Sequence, residues 1–295
     1  MIKTFFLFGA GYSARAFARA AIADGQRVFG TTRSADKSDE LRELAIEPLI
    51  FDGTLSEDIK DALRQTTHLI VSIAPSDDGD PVLETTGETL RSDMPKLRWI
   101  GYLSTVGVYG DHDGGWVDET SPCRPVSRRS TARLQAEGDW TALAEEIGVP
   151  LTILRLSGIY GPGRNAFVNL EEGKAKRIVK PGQVFNRIHV DDIAGTLALL
   201  SHEEIGGIFN VTDDEPAPPQ DVVAYAADLM GVAPPPETPF VEAEMTPMAR
   251  SFYGENKRVS NAKLKAAGHH FHFPTYRDAF DAMWRDHRWQ ERTSR

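Results

Sequence analysis

At 295 residues, 41% of them hydrophobic, the chain is long enough to bury one large α/β core with a smaller one appended. Its formal charge of −10, from 33 basic and 43 acidic side chains, repels phosphate backbones and anionic lipid, which disfavours nucleic acid and membrane surfaces as partners. The single cysteine, Cys123, excludes an internal disulfide and gives no reason to invoke an oxidising compartment.

The opening "MIKTFFLFGAGYSARA" places one lysine before a short apolar run that ends in glycines and lacks a small-residue cleavage site. It reads as a buried strand rather than a signal peptide. No apolar run reaches bilayer length, so the expectation is a soluble cytoplasmic protein. In chain order, strands are predicted at 4–11, 27–32, 47–53, 68–75, 98–105 and 150–156. Several are continuously apolar, as parallel strands covered on both faces are. Amphipathic segments lie between them, among them "SARAFARAAIAD", closed by Gly25, and "SEDIKDALRQ". This alternation predicts an α/β fold, a doubly wound parallel sheet with right-handed crossovers.

After Gly161 the texture changes: "GPGRN", then "AFVNLEEGKAKRIVKPG", then "FNRIHVDDIAGTLALLSHEE", where Asp191 or Asp192 is expected to cap a helix. Proline runs follow, and a final helix is expected near Tyr276–Arg288. The expected division is a nucleotide-binding domain at 1–160 and a smaller, mainly substrate-binding domain at 161–295, with some later segments crossing back to the sheet.

Chemistry first shows in "FLFGAGYSARA", where Gly9, Gly11 and Ala14 follow the first strand and open a helix. Gly9 permits the tight turn, Gly11 lets backbone approach a pyrophosphate, and Ala14 keeps helix and strand close. The helix N-terminus, with Tyr12 and Ser13, offers N–H donors and a positive dipole end. This is the Rossmann arrangement. An NAD site would place a carboxylate at the end of the second strand; here stand Thr31, Thr32, Arg33 and Ser34, with no carboxylate before Asp36. A guanidinium flanked by hydroxyls suits a 2′-phosphate, which favours NADP, with NAD as the alternative.

These glycines, with "FDG", "SIAP", "YLSTVGVYGD", "DETSP", "LRLSGIYGPGRN", "RIHVDDIAG", "FNVTDDEP" and "NKRVSNAKLKAAG", resemble the extended short-chain dehydrogenase/reductase superfamily, the NAD-dependent epimerase/dehydratase family, along most of the chain. The resemblance implies that Asp52 contacts the adenine, that Ser72, Ile73 and Ala74 line the cofactor groove, and that the turn after Leu156 closes over the nicotinamide. It implies a small-molecule substrate between the carboxyl edge of the sheet and the second domain. It also implies a homodimer through the helices flanking the sheet, with 128–145 in that surface.

One departure bears on activity. The family places a Ser or Thr after the fifth strand, matched by Ser104 and Thr105, and then Tyr-x-x-x-Lys on the next helix. Aligning "RLQAE" with the stretch that begins at that lysine puts Arg129 at the tyrosine and Arg133 at the lysine. The glycine motif departs as well, being Gly-x-Gly-x-x-Ala rather than Gly-x-x-Gly-x-x-Gly. Arginine stays protonated to above about pH 12, so neither can be the general acid–base at neutral pH. Arg133 is expected to hold the nicotinamide ribose and Arg129 an anionic group.

Tyr109 is the candidate replacement acid, weighed against a packed aromatic in the pocket wall; Tyr160 is expected to shape the crossing loop. Tyr253 and Lys257 have the literal family spacing but lie far along the chain and read as a decoy. His112 sits in a turn-rich segment; His269, His270 and His272 lack zinc-like partners, and their "GHHFHF" segment is expected to be a strand running into the last helix; "SDDGD" lacks the ligand spacing of an EF-hand loop and reads as a solvated loop or a flap near the cofactor, so no metal is expected. Three functions follow: an NADP(H)-preferring oxidoreductase or epimerase-like enzyme with an atypical acid–base group, on a small polar or nucleotide-sugar-like substrate; a non-catalytic NADP(H)-responsive regulator; or a module binding an anionic ligand.

Overall fold

The computed structural model describes residues 2–290. The chain folds as two compact units: one of Met1–Thr105, Arg128–Arg155 and Ile193–Phe209, the other of Val106–Ser127, Leu156–Asp192 and Asn210–Arg295. Each unit thus draws on segments from both sides of residue 160.

The first unit begins with β1 (Thr4–Phe8), α1 (Tyr12–Ala23), β2 (Arg27–Thr32), α2 (Ser38–Glu43) and β3 (Glu47–Ile50). It continues with α3 (Glu57–Gln65), β4 (His68–Val71), α4 (Pro81–Ser92), β5 (Trp99–Thr105) and α5 (Arg128–Ile147). The seven-stranded sheet runs in the order Gly207–Val211, Leu151–Leu156, β5, β4, β1, β2, β3. The pairs from β3 across to β5 are all parallel.

Alternation along the strands explains why their sequences are apolar throughout. On one face Phe6, Phe8, Val71 and Tyr102 join a core with Ile59 and Leu63 of α3, Val82 of α4 and Trp140 of α5. On the other, Phe5 meets Phe17 of α1 edge to face, centroids 5.0 Å apart. This is the doubly wound arrangement that the sequence predicts. Strand order reverses direction between β1 and β4, so a crevice opens at their carboxyl ends, where Gly9 and Ser72 follow.

The second unit contains three short parallel pairs: Gly158–Tyr160 with Arg187–His189, Arg177–Val179 with Glu237–Pro239, and Trp116–Val117 with Arg258–Val259. Phe167, Tyr276, Phe280 and Trp289 form its aromatic core.

Three local expectations are corrected. Asp191 and Asp192 lie within the first turn of the helix Val190–His202 rather than capping it. The buried Asp192 carboxylate instead accepts the backbone N–H groups of His272 (2.5 Å) and Phe273 (3.1 Å), and burial pushes its pKa up to about 6. The "GHHFHF" segment is irregular rather than a strand: His269 N bonds back to Leu264 O, and the donors of His272 and Phe273 go to Asp192. The last helix spans Tyr276–Arg285, closing short of Arg288.

His68 at the start of β4 has no exposed surface, and its ring nitrogens lie 2.8 Å from Thr67 Oγ1 and 3.0 Å from Ser201 O. Burial pushes its pKa down from 6.5 to about 4. Between those values the unfolded chain binds a proton that the folded one does not, so the stability contributed by neutral His68 is complete above pH 6.5 and is lost as pH falls towards 4. Urea denaturation across this window is expected to show the stability difference between wild type and His68→Gln shrinking as the pH drops; a constant difference contradicts the assignment.

Candidate functional site

The turn after β1 is fixed from both sides. Gly9 N donates to Thr31 Oγ1 (2.8 Å) and Ala10 N to Thr31 O (2.9 Å), both on β2. Beyond β4, Ser72 N donates to Phe8 O (2.9 Å) and Ser72 Oγ to Gly9 O (2.5 Å). Gly9 has φ +87°, and a Cβ there would lie 2.9 Å from both Ile73 Cγ1 and Ser72 Oγ. Only glycine satisfies both the dihedral and the space.

Gly11 differs. Its φ is −84°, and a Cβ added to it meets nothing within 4 Å. It occupies the N-cap of α1 with no side chain to cap the first turn. Behind it Ser13 and Ala14 are buried against the sheet, while Tyr12 is half-buried. One contributor escaped the sequence reading: Arg15, nearly fully buried, donates from Nε to Ala10 O (2.8 Å) and pairs through Nη1 with Glu40 of α2 at 3.0 Å. Its sequence signal is weak: an arginine one position after Ala14, the residue that keeps helix and strand close.

At the end of β2, Thr32 and Ser34 are half-buried and Arg33 is exposed. The Arg33 side chain has no hydrogen bond or ion pair among the described residues. Asp52 is exposed; its carboxylate accepts Thr54 N (3.1 Å) and Thr54 Oγ1 (2.7 Å), which lower its pKa. Ser72 and Ile73 are half-buried and Ala74 is exposed. The structure thus brings Gly9–Ala14 together with Thr31 and Ser72–Ile73 at the carboxyl ends of β1, β2 and β4.

The end of β5 is tied to a buried ion pair. Arg155 Nη2 lies 2.7 Å from Glu137 Oε2 on α5, both side chains 4% exposed, and the Ser104 hydroxyl donates to Glu137 Oε1. Thr105, the next residue, is half-buried. Arg133, one turn before Glu137, donates from Nη1 to Leu103 O (2.7 Å), and its guanidinium lies 5.6 Å from the Tyr102 ring. Arg129 is exposed, with no hydrogen bond or ion pair among the described residues.

Other candidates fall elsewhere. Tyr109 belongs to the second unit, has no exposed surface, and donates its hydroxyl to Asn210 Oδ1 (2.7 Å). Lys257 in the same unit donates to Gly110 O (2.9 Å) and Glu255 Oε2 (2.6 Å). His112 Nε2 lies 3.1 Å from Tyr109 O. In "SDDGD", Asp77 and Asp78 are exposed, but Asp80 is a buried cap that accepts Val82 N, Leu83 N and Trp140 Nε1. Among the described residues no cluster of His, Cys, Asp or Glu is arranged to hold a metal ion, and no helix is long and apolar enough to cross a membrane.

The profile of the NAD dependent epimerase/dehydratase family matches residues 7–212. A conserved protein of unknown function from Silicibacter pomeroyi superposes with a TM-score of 0.89 at 46% identity, over 97% of this chain and 99% of that one. Protein YeeZ of Escherichia coli (strain K12) is 29% identical over 245 residues, 79% of this chain and 86% of that protein. UDP-glucuronic acid 4-epimerase from Bacillus cereus, solved in complex with NAD, shares the fold with a TM-score of 0.77 at 17% identity, over 99% of this chain and all of that one.

Removing one partner of a buried ion pair leaves an uncompensated charge, at a cost of about 3–5 kcal/mol. Glu137→Ala is therefore expected to lower the unfolding free energy by that amount in urea denaturation. Glu137→Ala combined with Arg155→Ala should lose less than the sum of the two single changes; simple additivity contradicts the coupling.

Proposed function

This chain belongs to the NAD dependent epimerase/dehydratase family, and on that premise we propose that it is an NADP(H)-preferring oxidoreductase or epimerase-like enzyme for a small polar or anionic substrate, with an atypical acid–base group. The observation that carries the proposal is Gly11. The packing of the protein requires glycine at position 9 but not at 11, where a side chain would enter open space. A close approach of ligand backbone atoms accounts for it: a pyrophosphate lying on the uncapped first turn of α1, where N–H groups and the helix dipole favour negative charge.

The other groups fit the same ligand. Arg33, without a partner among the described residues, is the group for the 2′-phosphate, supported by Thr32 and Ser34. Asp52 stays ionised and borders the adenine, and Ser72, Ile73 and Ala74 line the groove. When bound, the nicotinamide supplies hydride transfer. Because Arg133 uses only Nη1 on the β5 backbone, its Nε and Nη2 are left for the ribose. Arg129 takes an anionic group of the substrate. Ser104, which donates to Glu137, or Thr105 beside it is the hydroxyl that bonds the substrate oxygen. A relay through Tyr109 requires its bond to Asn210 to open, which makes a water held beside Thr105 the simpler proton carrier.

A second reading, a non-catalytic NADP(H)-binding protein, is favoured by one observation: neither Arg129 nor Arg133 can exchange a proton at neutral pH. NADPH consumption with a panel of carbonyl compounds separates the two. For the nucleotide site, Gly11→Ala is expected to change stability by no more than about 1 kcal/mol while weakening NADPH binding at least tenfold. Arg33→Ala, which loses a charge-assisted contact of about 1.5–3 kcal/mol, should weaken NADPH about tenfold or more and leave NADH unchanged. Calorimetric titration checks both; unchanged NADPH affinity in the two variants overturns the site.

A further inference from the structure

The other end of the sheet holds a separate feature of the first unit. A cavity of about 260 Å³ lies where β1 and β4 begin, against the later turns of α1 and the end of the helix Val190–His202. It is smaller than the roughly 300–1,000 Å³ of drug-sized pockets, yet a cavity of about 150 Å³ already holds benzene. Its apolar side is formed by Phe5, Phe17, Ala21 and Ala198, and Phe5 stacks at a tilt on His68, centroids 5.0 Å apart. Its polar side carries Lys3 and Arg98.

The charges at that side are unequally matched. Arg98 is paired with Glu204 at 2.8 Å. Lys3 is half-buried and directs Nζ to two backbone carbonyls, Ser201 O (2.7 Å) and His202 O (3.1 Å), with no carboxylate partner among the described residues. Its third proton remains for a ligand. The carbonyls that end the helix would oppose an anion, but Lys3 and His68 already occupy them. Asp24, the acid in the lining, is exposed to solvent.

We propose that this cavity is a second ligand site, for a small aromatic monocarboxylate whose carboxylate pairs with Lys3 and Arg98 and whose ring lies on Phe5 and Phe17. The ring extends the edge-to-face row begun by Phe17 and Phe5, and the carboxylate gives the Lys3 ammonium a direct ion pair in addition to the longer-range attraction of Glu204 and Glu203. Burial, which pushes the Lys3 pKa down, points the same way. The site is independent of the proposed nucleotide site, because β1 runs from one to the other: Thr4 opens the strand beside the cavity and Gly9 follows its far end.

The test is calorimetric titration of the full chain with benzoate, benzyl alcohol and benzylamine, with and without saturating NADPH. Benzoate is expected to bind at least tenfold more tightly than either analogue, and equally well in the presence of NADPH. Ala198→Phe, a half-buried position facing the cavity, should abolish binding while leaving the melting temperature near that of wild type. Arg98→Gln and Lys3→Met should each remove most of the preference for benzoate. Equal affinity for the three probes, no binding of benzoate, or benzoate binding that survives Ala198→Phe overturns the proposal.

Discussion

The structure depends on the turn that leaves β1. A left-handed residue at Gly9 reverses the chain between Thr31 on β2 and Ser72 after β4, and both neighbours bond its backbone directly. Because strand order changes direction at this point, the turn stands in a crevice with backbone donors around it. Arg15, held to Ala10 O and paired with Glu40, ties the helix that follows to the same turn. The fold thus supplies a rigid cradle whose shape is set before any ligand arrives, and rigidity of this kind lowers the cost of ordering on binding.

A second buried contact organises the other half of the cleft. Glu137 lies four residues after Arg133 on α5, one turn along the same face, and its pairing with Arg155 joins that helix to the strand Leu151–Leu156. It also accepts the Ser104 hydroxyl, which ties the end of β5 to the same pair. Arg133 and Glu137 of α5 are thus both fixed against β5 and its neighbouring strand, while Arg129, one turn earlier, is exposed. Whether such a site turns over substrate depends on a water or another group moving the proton, since a guanidinium does not.

Much of this was legible in the sequence. Continuous apolar strands such as "HLIV" and the placement of glycines after β1 carry the doubly wound sheet, because both periodicity and turn chemistry are local. The motif already assigns Gly9 to the turn and Gly11 to a close approach; the structure adds the reason, since a Cβ at 9 would meet Ile73 and Ser72 while one at 11 would meet nothing within 4 Å. The pairing of Glu137 with Arg155 and Ser104 spans 18 and 33 residues, beyond any local pattern. "SDDGD" reads in sequence as a solvated loop or a flap near the cofactor, yet its last residue, Asp80, is buried and accepts from Trp140 Nε1 and from the first turn of α4. The expected cap at Asp191 or Asp192 fails because both lie inside the first turn, and a distant loop donates to the Asp192 carboxylate.

The central claim is that a dinucleotide lies on the first turn of α1, with its ribose phosphate at Arg33. Backbone amide NMR of the labelled protein during an NADPH titration tests it most directly. The account predicts that the largest shifts fall at Gly9–Ala14, Thr32–Ser34 and Ser72–Ala74, with Arg33 responding less to NADH. Shifts centred on other residues, or none at millimolar NADPH, would contradict it.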